Sequence, residues 1–214
     1  PLLRRWLLES LQANNNTNIY LELEALKQRP TAYWSMNGYI YHRHELYITA
    51  GKDEIIISNQ FNQDTATLEE RRYAGSLKLE PNAYGTYTLV NNVPIETYIR
   101  GVVPHELGAW PPKASLEAQS ILARTYALRN LHRFVVDNYE LCADTHCQVY
   151  KGLDVYPETD TAVTATRGKV LTYKDELIDA VYFAVSGGVT ADFNDLWNGT
   201  ERPYLRPVID GVNN

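Results

Sequence analysis

Apolar and polar residues alternate or cluster over short distances from Tyr20 to about Val90, a pattern typical of β-strands. The segments that carry it are rich in Ile and Tyr and read IYLELEAL, GYIYHRHELYITA, DEIIISNQF, YAGSLKLE and YGTYTLV. Pro81-Asn82, between the last two segments, predicts a turn. This part of the chain is therefore predicted to be strand-rich. Residues 1–18 precede it, and their amphipathic start and Asn run predict a short helix and a linker.

The spacing of apolar residues becomes helical after Val93. In PIETYIRGVV they recur three and four residues apart, which predicts a helix that Pro94 opens and Pro104 interrupts. A second and longer helix is predicted after Pro112, because ASLEAQSILARTYALRNL carries the same period over more turns.

Two apolar segments, KVLTY and LIDAVYFAV, predict strands again after a loop that holds both cysteines. The order of strands, then helices, then strands indicates an α+β fold, with strand-rich parts packed around a long central helix. We predict that residues 1–71 form an N-terminal strand-rich region, either part of the same fold or a small appendage. Residues 72–214 form the second region.

Charge and hydropathy exclude two classes of protein. The 26 acidic residues outnumber the 20 basic ones, for a net charge of −6, and no basic stripe is present, so a nucleic-acid partner is not expected. No uncharged apolar run approaches the roughly 18 residues of a membrane-spanning helix.

Glu106 is the first candidate for chemistry. It lies in VVPHELG, between the two predicted helices and between Pro104 and Gly108. Such a carboxyl group suits a general acid, and the alternative is a carboxylate that a helix N-terminus stabilises. His105-Glu106 also begins the zinc-protease pattern H-E-x-x-H, but the second histidine position is Ala109, which excludes that site.

Arg124 falls on the predicted buried face of the long helix and needs a carboxylate or a ligand there. Glu117 shares that face, seven residues earlier, so one interpretation is a structural ion pair. The other is an arginine that orients Glu106 or a sugar substituent.

The cysteine loop and a glycine pair complete the candidates. His132, Cys142, His146 and Cys147 have the ligand types of tetrahedral zinc, while a Cys142–Cys147 disulfide or two free thiols are the alternatives. Ser186-Gly187-Gly188 fits a tight turn or a close approach to a ligand. The G-x-S-x-G pattern of serine hydrolases would need glycine where Ala184 stands, so a nucleophilic role for Ser186 is not supported.

From Arg72 to Asp210 the chain resembles the SpoIID/LytB family of bacterial cell-wall proteins. The motifs that carry the resemblance occur in family order: ETYIRGVVPHE, AQSILARTYAL, CQVYKG, ATRGKVL and SGGVT. The resemblance implies a SpoIID/LytB-like catalytic domain over residues 72–214, with a glycan groove between its subregions. It also implies an extracytoplasmic place at the cell envelope, with secretion or an anchor supplied by a segment absent from this chain.

The resemblance also implies the roles of particular residues. Glu106 takes the position of the single acid/base glutamate of lytic transglycosylases, which need no second carboxylate because a sugar hydroxyl replaces water. A structural zinc at the cysteine loop is implied, and no cofactor for the chemistry. The implied substrate-binding residues are Arg124, Gln119, Gln148, Tyr150, Ser186, Gly187, Gly188 and Thr190.

Three functions follow from these observations. The first is a lytic transglycosylase that cleaves peptidoglycan glycan strands and leaves 1,6-anhydro-N-acetylmuramic acid ends. The second is a non-catalytic glycan-binding enhancer of a cell-wall amidase, which would be the protein partner. The third is a zinc hydrolase, which four protein ligands on the metal would disfavour because no coordination position would remain open.

Overall fold

The structure is a computed structural model that describes residues 34–36, 39–41, 45–49, 51–62, 66–82, 87–108, 110–197 and 199–211. The helix predicted within residues 1–18 and the strand predicted for IYLELEAL lie outside these residues. None of the described helices has the length and apolar character needed to cross a bilayer.

Antiparallel strands make up most of the described residues before residue 93. The strands are β1 (Trp34–Met36), β2 (Tyr39–Tyr41), β3 (Leu46–Thr49), β4 (Ile55–Asn62), β5 (Thr67–Tyr73), β6 (Ser76–Pro81) and β7 (Tyr87–Asn92). Two pairs, β1–β2 and β4–β5, accompany a three-stranded sheet in which β6 lies between β3 and β7. The strand-rich prediction is confirmed for the described residues. Strand β5 was not predicted, because its sequence TLEERRY is largely charged.

Apolar residues of the sheet pack against the helices. Leu77 of β6 is 1% exposed and pairs with Ile48 of β3 and Asn91 of β7. Ile48 and Leu89 pack against the same hydrophobic core. Burial on this one face fixes the register, since a shift by one residue would turn Leu77 to the opposite face.

Three helices follow: α1 (Ile95–Leu107), α2 (Lys113–Arg129) and α3 (Pro157–Ala165). The core between them is formed by Ile99, Val102, Val103, Leu116, Ala123, Ala127, Ala162 and Val163. Helix α2 packs against both α1 and α3, which confirms the long central helix and the α+β class.

Helix α1 does not end at Pro104, as the sequence predicts, but continues to Leu107. A proline inside a helix removes its own N–H and its ring crowds the carbonyl four residues earlier, but here the preceding turns are held by the buried residues Ile99, Val102 and Val103. Glu106 therefore lies in the last turn of α1 and not in a segment between helices. It is at a helix C-terminus, so the alternative of a carboxylate at an N-terminus is wrong.

The region after α3 has less strand than predicted. The strands β8 (Thr172–Tyr173) and β9 (Glu176–Leu177) form a short hairpin, and residues 180–185 of the predicted second strand are irregular. Phe183 and Val185 are 58% and 83% exposed, so none of the described strands covers this apolar run. A short helix, α4 (Phe193–Leu196), lies farther along the chain.

Candidate active site

Glu106 projects from the last turn of α1 and is half-buried. The backbone N–H of Val149 donates a hydrogen bond of 2.6 Å to its Oε1 atom. Gly108 ends the helix with φ +88°, a left-handed conformation that glycine adopts readily, and its N–H bonds to the Pro104 carbonyl. Within the described part of the chain Glu106 forms no ion pair, whereas Glu96 and Glu117 pair with Arg124 and Lys113.

Tyr182 interacts electrostatically with the Glu106 carboxylate. Burial raises the pKa of the Tyr182 hydroxyl, and Glu106 raises it further through its charge and a hydrogen bond, while a hydrogen bond from Gln148 lowers it. The Gln148 Nε2 atom donates to the Tyr182 hydroxyl oxygen at 3.2 Å. Gln148 and Val149 are consecutive residues, so one stretch of the cysteine loop forms hydrogen bonds to the side chains of both Tyr182 and Glu106.

Gln148 is fully buried and its amide is occupied by protein groups. Its Nε2 also donates to the Ala123 carbonyl at 3.2 Å, and its Oε1 accepts from the Tyr98 hydroxyl at 3.2 Å. The predicted contact of Gln148 with substrate is therefore not supported, because the side chain has neither exposed surface nor an amide hydrogen left unbonded. Gln148 instead joins Tyr98, Ala123 and Tyr182 through its hydrogen bonds.

Tyr150 is likewise part of the core. Its side chain is 7% exposed, its hydroxyl donates to the Asn91 Oδ1 atom at 2.6 Å, and its ring centroid is 5.0 Å from that of Tyr98. The prediction that Tyr150 lines a sugar groove does not fit this buried position.

Arg124 is buried as predicted, at 1% exposure, but its partner is Glu96 and not Glu117. Its Nε and one terminal nitrogen donate to the two Glu96 carboxylate oxygens at 3.0 and 2.9 Å. Three more bonds reach backbone carbonyls, those of Ser120, Val163 and Lys169. All five donors of the guanidinium are thus used, so none is left for a sugar or for Glu106.

Gln119 lies on α2 and is 7% exposed. Its Nε2 atom has no hydrogen-bond partner among the described residues. Its predicted contact with substrate stays a prediction.

The glycine pair forms the tight turn that the sequence predicts. Gly187 and Gly188 have φ of +69° and +102°, and the Gly188 N–H donates to the Ser186 Oγ atom at 3.1 Å. The Thr190 Oγ1 atom accepts from the Val208 N–H at 2.8 Å. The contacts of Ser186, Gly187, Gly188 and Thr190 with glycan remain predictions.

The cysteine loop brings three of the four predicted metal ligands together. Ligand atoms of Cys142, His146 and Cys147 lie within 4.8 Å of one another. The two Sγ atoms are 2.7 Å apart and both thiols are free. His132 is exposed just after α2 and is not a member of this group, so the structure does not bring the predicted fourth ligand to the other three. Burial and a hydrogen bond to Cys147 raise the pKa of the Cys142 thiol to about 12.

Arg133 joins this loop to α2. One of its terminal nitrogens donates to the Tyr126 hydroxyl at 2.6 Å and to the His146 carbonyl at 3.1 Å, and the other lies 3.2 Å from the His146 Nε2 atom. The Tyr126 ring packs edge-on against the Tyr182 ring, with centroids 6.4 Å apart. The ligand cluster and the surroundings of Glu106 are therefore parts of one connected arrangement.

Two groups of the site, the Tyr182 hydroxyl and the Val149 N–H, were not predicted from the sequence. Tyr182 stands inside the apolar run DAVYFAV, where its hydroxyl is the one polar side-chain group after Asp179, and that was the available signal. The Val149 N–H leaves no signal, because every residue other than proline carries such a donor.

The sequence from residue 83 to residue 173 matches the family model SpoIID, described as stage II sporulation protein. The match includes Glu106, α2 and the cysteine loop. The resemblance predicted from the motifs is therefore confirmed.

Three relatives show the same similarity. An uncharacterized protein of Brachyspira hyodysenteriae is 37% identical over 153 residues, which cover 68% of this chain and 40% of the relative. The amidase enhancer of Bacillus subtilis is 37% identical over 107 residues, 50% of this chain and 14% of the relative. Stage II sporulation protein D of the same organism is 32% identical over 159 residues, 63% of this chain and 45% of the relative. The chain thus spans less than half the length of each.

Proposed function

Because residues 83–173 match the SpoIID family, we propose that the chain is a peptidoglycan lytic transglycosylase with Glu106 as its acid and base. Similarity to stage II sporulation protein D and to an amidase enhancer supports a cell-wall-related role. The observation that carries the enzymatic proposal is the setting of Glu106. Its carboxyl group is half-buried, has no cationic partner among the described residues, and is fixed by the Val149 N–H.

This setting suits a group that must both give and take a proton. In the first step the Glu106 carboxyl donates its proton to the glycosidic oxygen between N-acetylmuramic acid and N-acetylglucosamine. The bond from that oxygen to the muramyl C1 breaks, and its electron pair stays with the departing hydroxyl group. A salt bridge to lysine or arginine would hold the carboxylate ionised and oppose this step.

In the second step the Glu106 carboxylate removes the proton of the muramyl 6-hydroxyl, and O6 forms a bond to C1. The product is a 1,6-anhydro ring, and Glu106 is protonated again. No water is consumed, so one carboxyl group suffices where hydrolases of glycosidic bonds use two.

Glu106→Gln tests this proposal, with Glu117→Gln as the matched control on the surface of α2. The amide keeps the shape and can still accept from Val149, but it cannot donate and regain a proton. We expect anhydromuramyl ends, measured by mass spectrometry of defined glycan strands, to form at least about 10³-fold more slowly in Glu106→Gln and at the wild-type rate in Glu117→Gln. Wild-type production of these ends by Glu106→Gln would contradict the proposal.

The alternative is a glycan-binding enhancer of a cell-wall amidase, and the similarity to an amidase enhancer favours it. In that case purified wild-type protein forms no anhydromuramyl ends. Adding it to a cell-wall amidase increases release of peptide from peptidoglycan, and Glu106→Gln does so equally well. The same pair of proteins therefore separates the two functions.

We also propose a structural zinc ion bound by Cys142, His146 and Cys147. Thiolate and imidazole are the ligands that zinc prefers in tetrahedral sites, and these three lie within 4.8 Å of one another. The ion would stabilise the loop that supplies the Val149 N–H to Glu106. A place outside the cytoplasm, at the cell envelope, and a cell-wall amidase as partner are part of the same proposal, since peptidoglycan is found there.

A further inference from the structure

The cluster of Cys142, His146 and Cys147 supplies three donors for a tetrahedral metal ion. A zinc site with three protein ligands keeps its fourth position open for water, as catalytic sites do, whereas a structural site has four protein ligands. Among the described residues His132 is not part of the cluster. The role of the ion therefore depends on whether another side chain reaches the fourth position.

Asp144 lies between the two cysteines in the same loop. Its Oδ1 atom accepts from the backbone N–H of His146 at 2.9 Å and lies 3.4 Å from the Cys142 Sγ atom. The Cys147 N–H donates to the Asp144 carbonyl at 3.0 Å, which closes a turn between them. A carboxylate is thus held beside the thiols and the imidazole within residues 142–147.

The distances within this group resemble the edges of a zinc tetrahedron. A sulfur ligand and a nitrogen or oxygen ligand of zinc are about 3.5–3.6 Å apart when the bonds to the metal have their usual lengths. The Cys142 Sγ atom is 3.4 Å from the Asp144 Oδ1 atom and 3.8 Å from the His146 Nδ1 atom. The two sulfur atoms, 2.7 Å apart, would separate to about 3.8 Å around the ion.

The charges around the loop also favour a carboxylate. Two thiolates neutralise a divalent ion, so a carboxylate leaves the ligand set with one negative charge. Arg133 lies beside the set: one terminal nitrogen donates to the His146 carbonyl at 3.1 Å, and the other is 3.2 Å from the His146 Nε2 atom. The guanidinium therefore compensates the charge that the carboxylate adds.

We propose that Asp144 is the fourth ligand of the zinc ion and completes the set formed by Cys142, His146 and Cys147. This inference rests on the zinc ion of the proposed function and is independent of the glycan chemistry assigned to Glu106. Four protein ligands leave no position for water, so the ion is structural and does not activate a nucleophile.

Asp144→Asn tests the inference, and Glu140→Gln, which removes a charge from an exposed residue just before the loop, is the matched control. The asparagine oxygen can still accept from the His146 N–H, but a neutral amide is a poorer zinc ligand. Competition with a chromophoric chelator measures the zinc affinity of the whole chain. Loss of a group that only supports a ligand weakens metal binding about 10–100-fold. We therefore expect a loss of more than about 100-fold in Asp144→Asn and of less than about threefold in Glu140→Gln.

Cobalt(II) in place of zinc reports the ligand set without reference to activity. We expect the visible bands of a tetrahedral cobalt site in wild type and Glu140→Gln, and shifted bands in Asp144→Asn. The thiolate-to-cobalt charge-transfer bands should remain in all three proteins, since both cysteines are still present. Asp144→His places another good zinc ligand at the same position and should bring the zinc affinity to within about tenfold of wild type.

An Asp144→Asn protein that loses less than about 100-fold in zinc affinity, or whose cobalt bands are unshifted, overturns the inference, because Asp144 then only supports the loop through His146. An Asp144→His protein that binds zinc no better than Asp144→Asn also overturns it. Wild-type protein that binds neither metal overturns the zinc site together with this inference. Formation of anhydromuramyl ends by the same wild-type protein decides the lytic transglycosylase proposal separately.

Discussion

The surroundings of Arg124 decide its role, because they place it in an ion pair with Glu96. The side chain of Arg124 is 1% exposed and that of Glu96 is 19% exposed. Removing one partner of such a pair leaves a charge without compensation in a region of low polarity. The pair joins the first turn of α1 to the middle of α2, so its loss would loosen the helix that ends in Glu106.

The pH dependence of stability follows from this pair. Burial alone raises the pKa of Glu96, but hydrogen bonds from Arg124 and Gly168 and the Arg124 charge outweigh burial and lower it below the ordinary 4.5. A carboxyl pKa that is lower in the folded state contributes stability above the unfolded pKa, which is lost as the pH falls through the folded one. We expect the free energy of unfolding to decrease below about pH 4.5.

Glu96→Ala checks this prediction. At pH 7 it should lower the free energy of unfolding by about 3–5 kcal/mol, measured by urea denaturation, because Arg124 stays buried without its carboxylate. Between pH 5 and pH 3 it should lose less stability than wild type. Glu117→Gln, a surface change, should follow the wild-type curve. Equal acid dependence in Glu96→Ala and wild type would contradict the assignment.

The sequence predicted that Arg124 is buried, because the apolar period of α2 places it between Ile121 and Leu128. The sequence predicted the wrong ion-pair partner for Arg124. Spacing along one helix suggests Glu117, which lies on the same helix, and gives no information on residues of a neighbouring helix. Glu96 is 28 residues away and reaches Arg124 only through the packing of α1 on α2. Glu106 was identified through the motif around it, whereas Tyr182 and the Val149 N–H depend on tertiary contacts.

At the scale of elements, α1 and the cysteine loop meet at an unusually short distance. A Cβ atom on Gly101 would lie 2.3 Å from the Gly152 carbonyl oxygen and 2.6 Å from the Tyr150 ring. The backbone N–H of Lys151 also donates to the Gly101 carbonyl. This contact sets how the residues that follow Cys147 lie along α1, and therefore where the Val149 N–H meets Glu106.

Gly101→Ala should separate the two elements. The added methyl group meets backbone, which cannot rotate away, so we expect a loss of about 1–3 kcal/mol in the free energy of unfolding, together with at least a tenfold fall in the rate of anhydromuramyl formation. Gly51→Ala is the control: among the described residues nothing lies within 4 Å of its Cβ position, and its φ of +65° costs about 1 kcal/mol without moving the site. A Gly101→Ala protein as stable and active as wild type would show that the contact does not position the loop.

The elements themselves were predicted unevenly. Strands β3, β4, β6 and β7 and helices α1 and α2 followed from periodicity, because each buries one face. Strand β5 was not predicted, since a charged strand carries no apolar period. The run DAVYFAV was predicted to be a strand and is irregular, for the opposite reason. Its apolar residues predict a buried strand, yet Phe183 and Val185 face solvent. Apolar composition indicates burial only where another element is present to cover it.

At the scale of the whole molecule, the candidate site is assembled from three distant parts of the chain: α1 with Glu106, the cysteine loop with Val149, and the segment after β9 with Tyr182. That last segment is tied to α2 by Asp179, which pairs with both Arg129 and Arg202. Burial raises the pKa of Asp179, but its bonds to Arg202 and Arg129 lower it overall. Of the three parts, the cysteine loop supplies the Val149 N–H to Glu106. The site therefore depends on the chemical state of the cysteine loop.

The chemical state of the cysteine loop determines how firmly the Val149 N–H is held at Glu106. With zinc bound, residues 146–149 are held between the metal ligands and Glu106, so removing the metal should release the Val149 N–H. We expect about one zinc per chain by elemental analysis. We also expect chelation to lower Tm by several degrees, since a ligand that binds only the folded state stabilises it, and to lower the rate of anhydromuramyl formation at least tenfold. Added zinc should restore both, and His132→Ala, which changes a residue outside the cluster, should retain its zinc.

The three states of the thiols give different results in this experiment. A Cys142–Cys147 disulfide would make Tm sensitive to a reductant and insensitive to the chelator, because only the covalent bond would then restrain the loop. Two free thiols would make Tm insensitive to both reagents. Cys147→Ser separates the states further, because it removes one metal ligand and the disulfide but keeps a small polar side chain at a buried position. In the zinc-bound protein it should reduce zinc content and activity together, and full activity in a Cys147→Ser protein without zinc would exclude a role for this loop in holding Glu106.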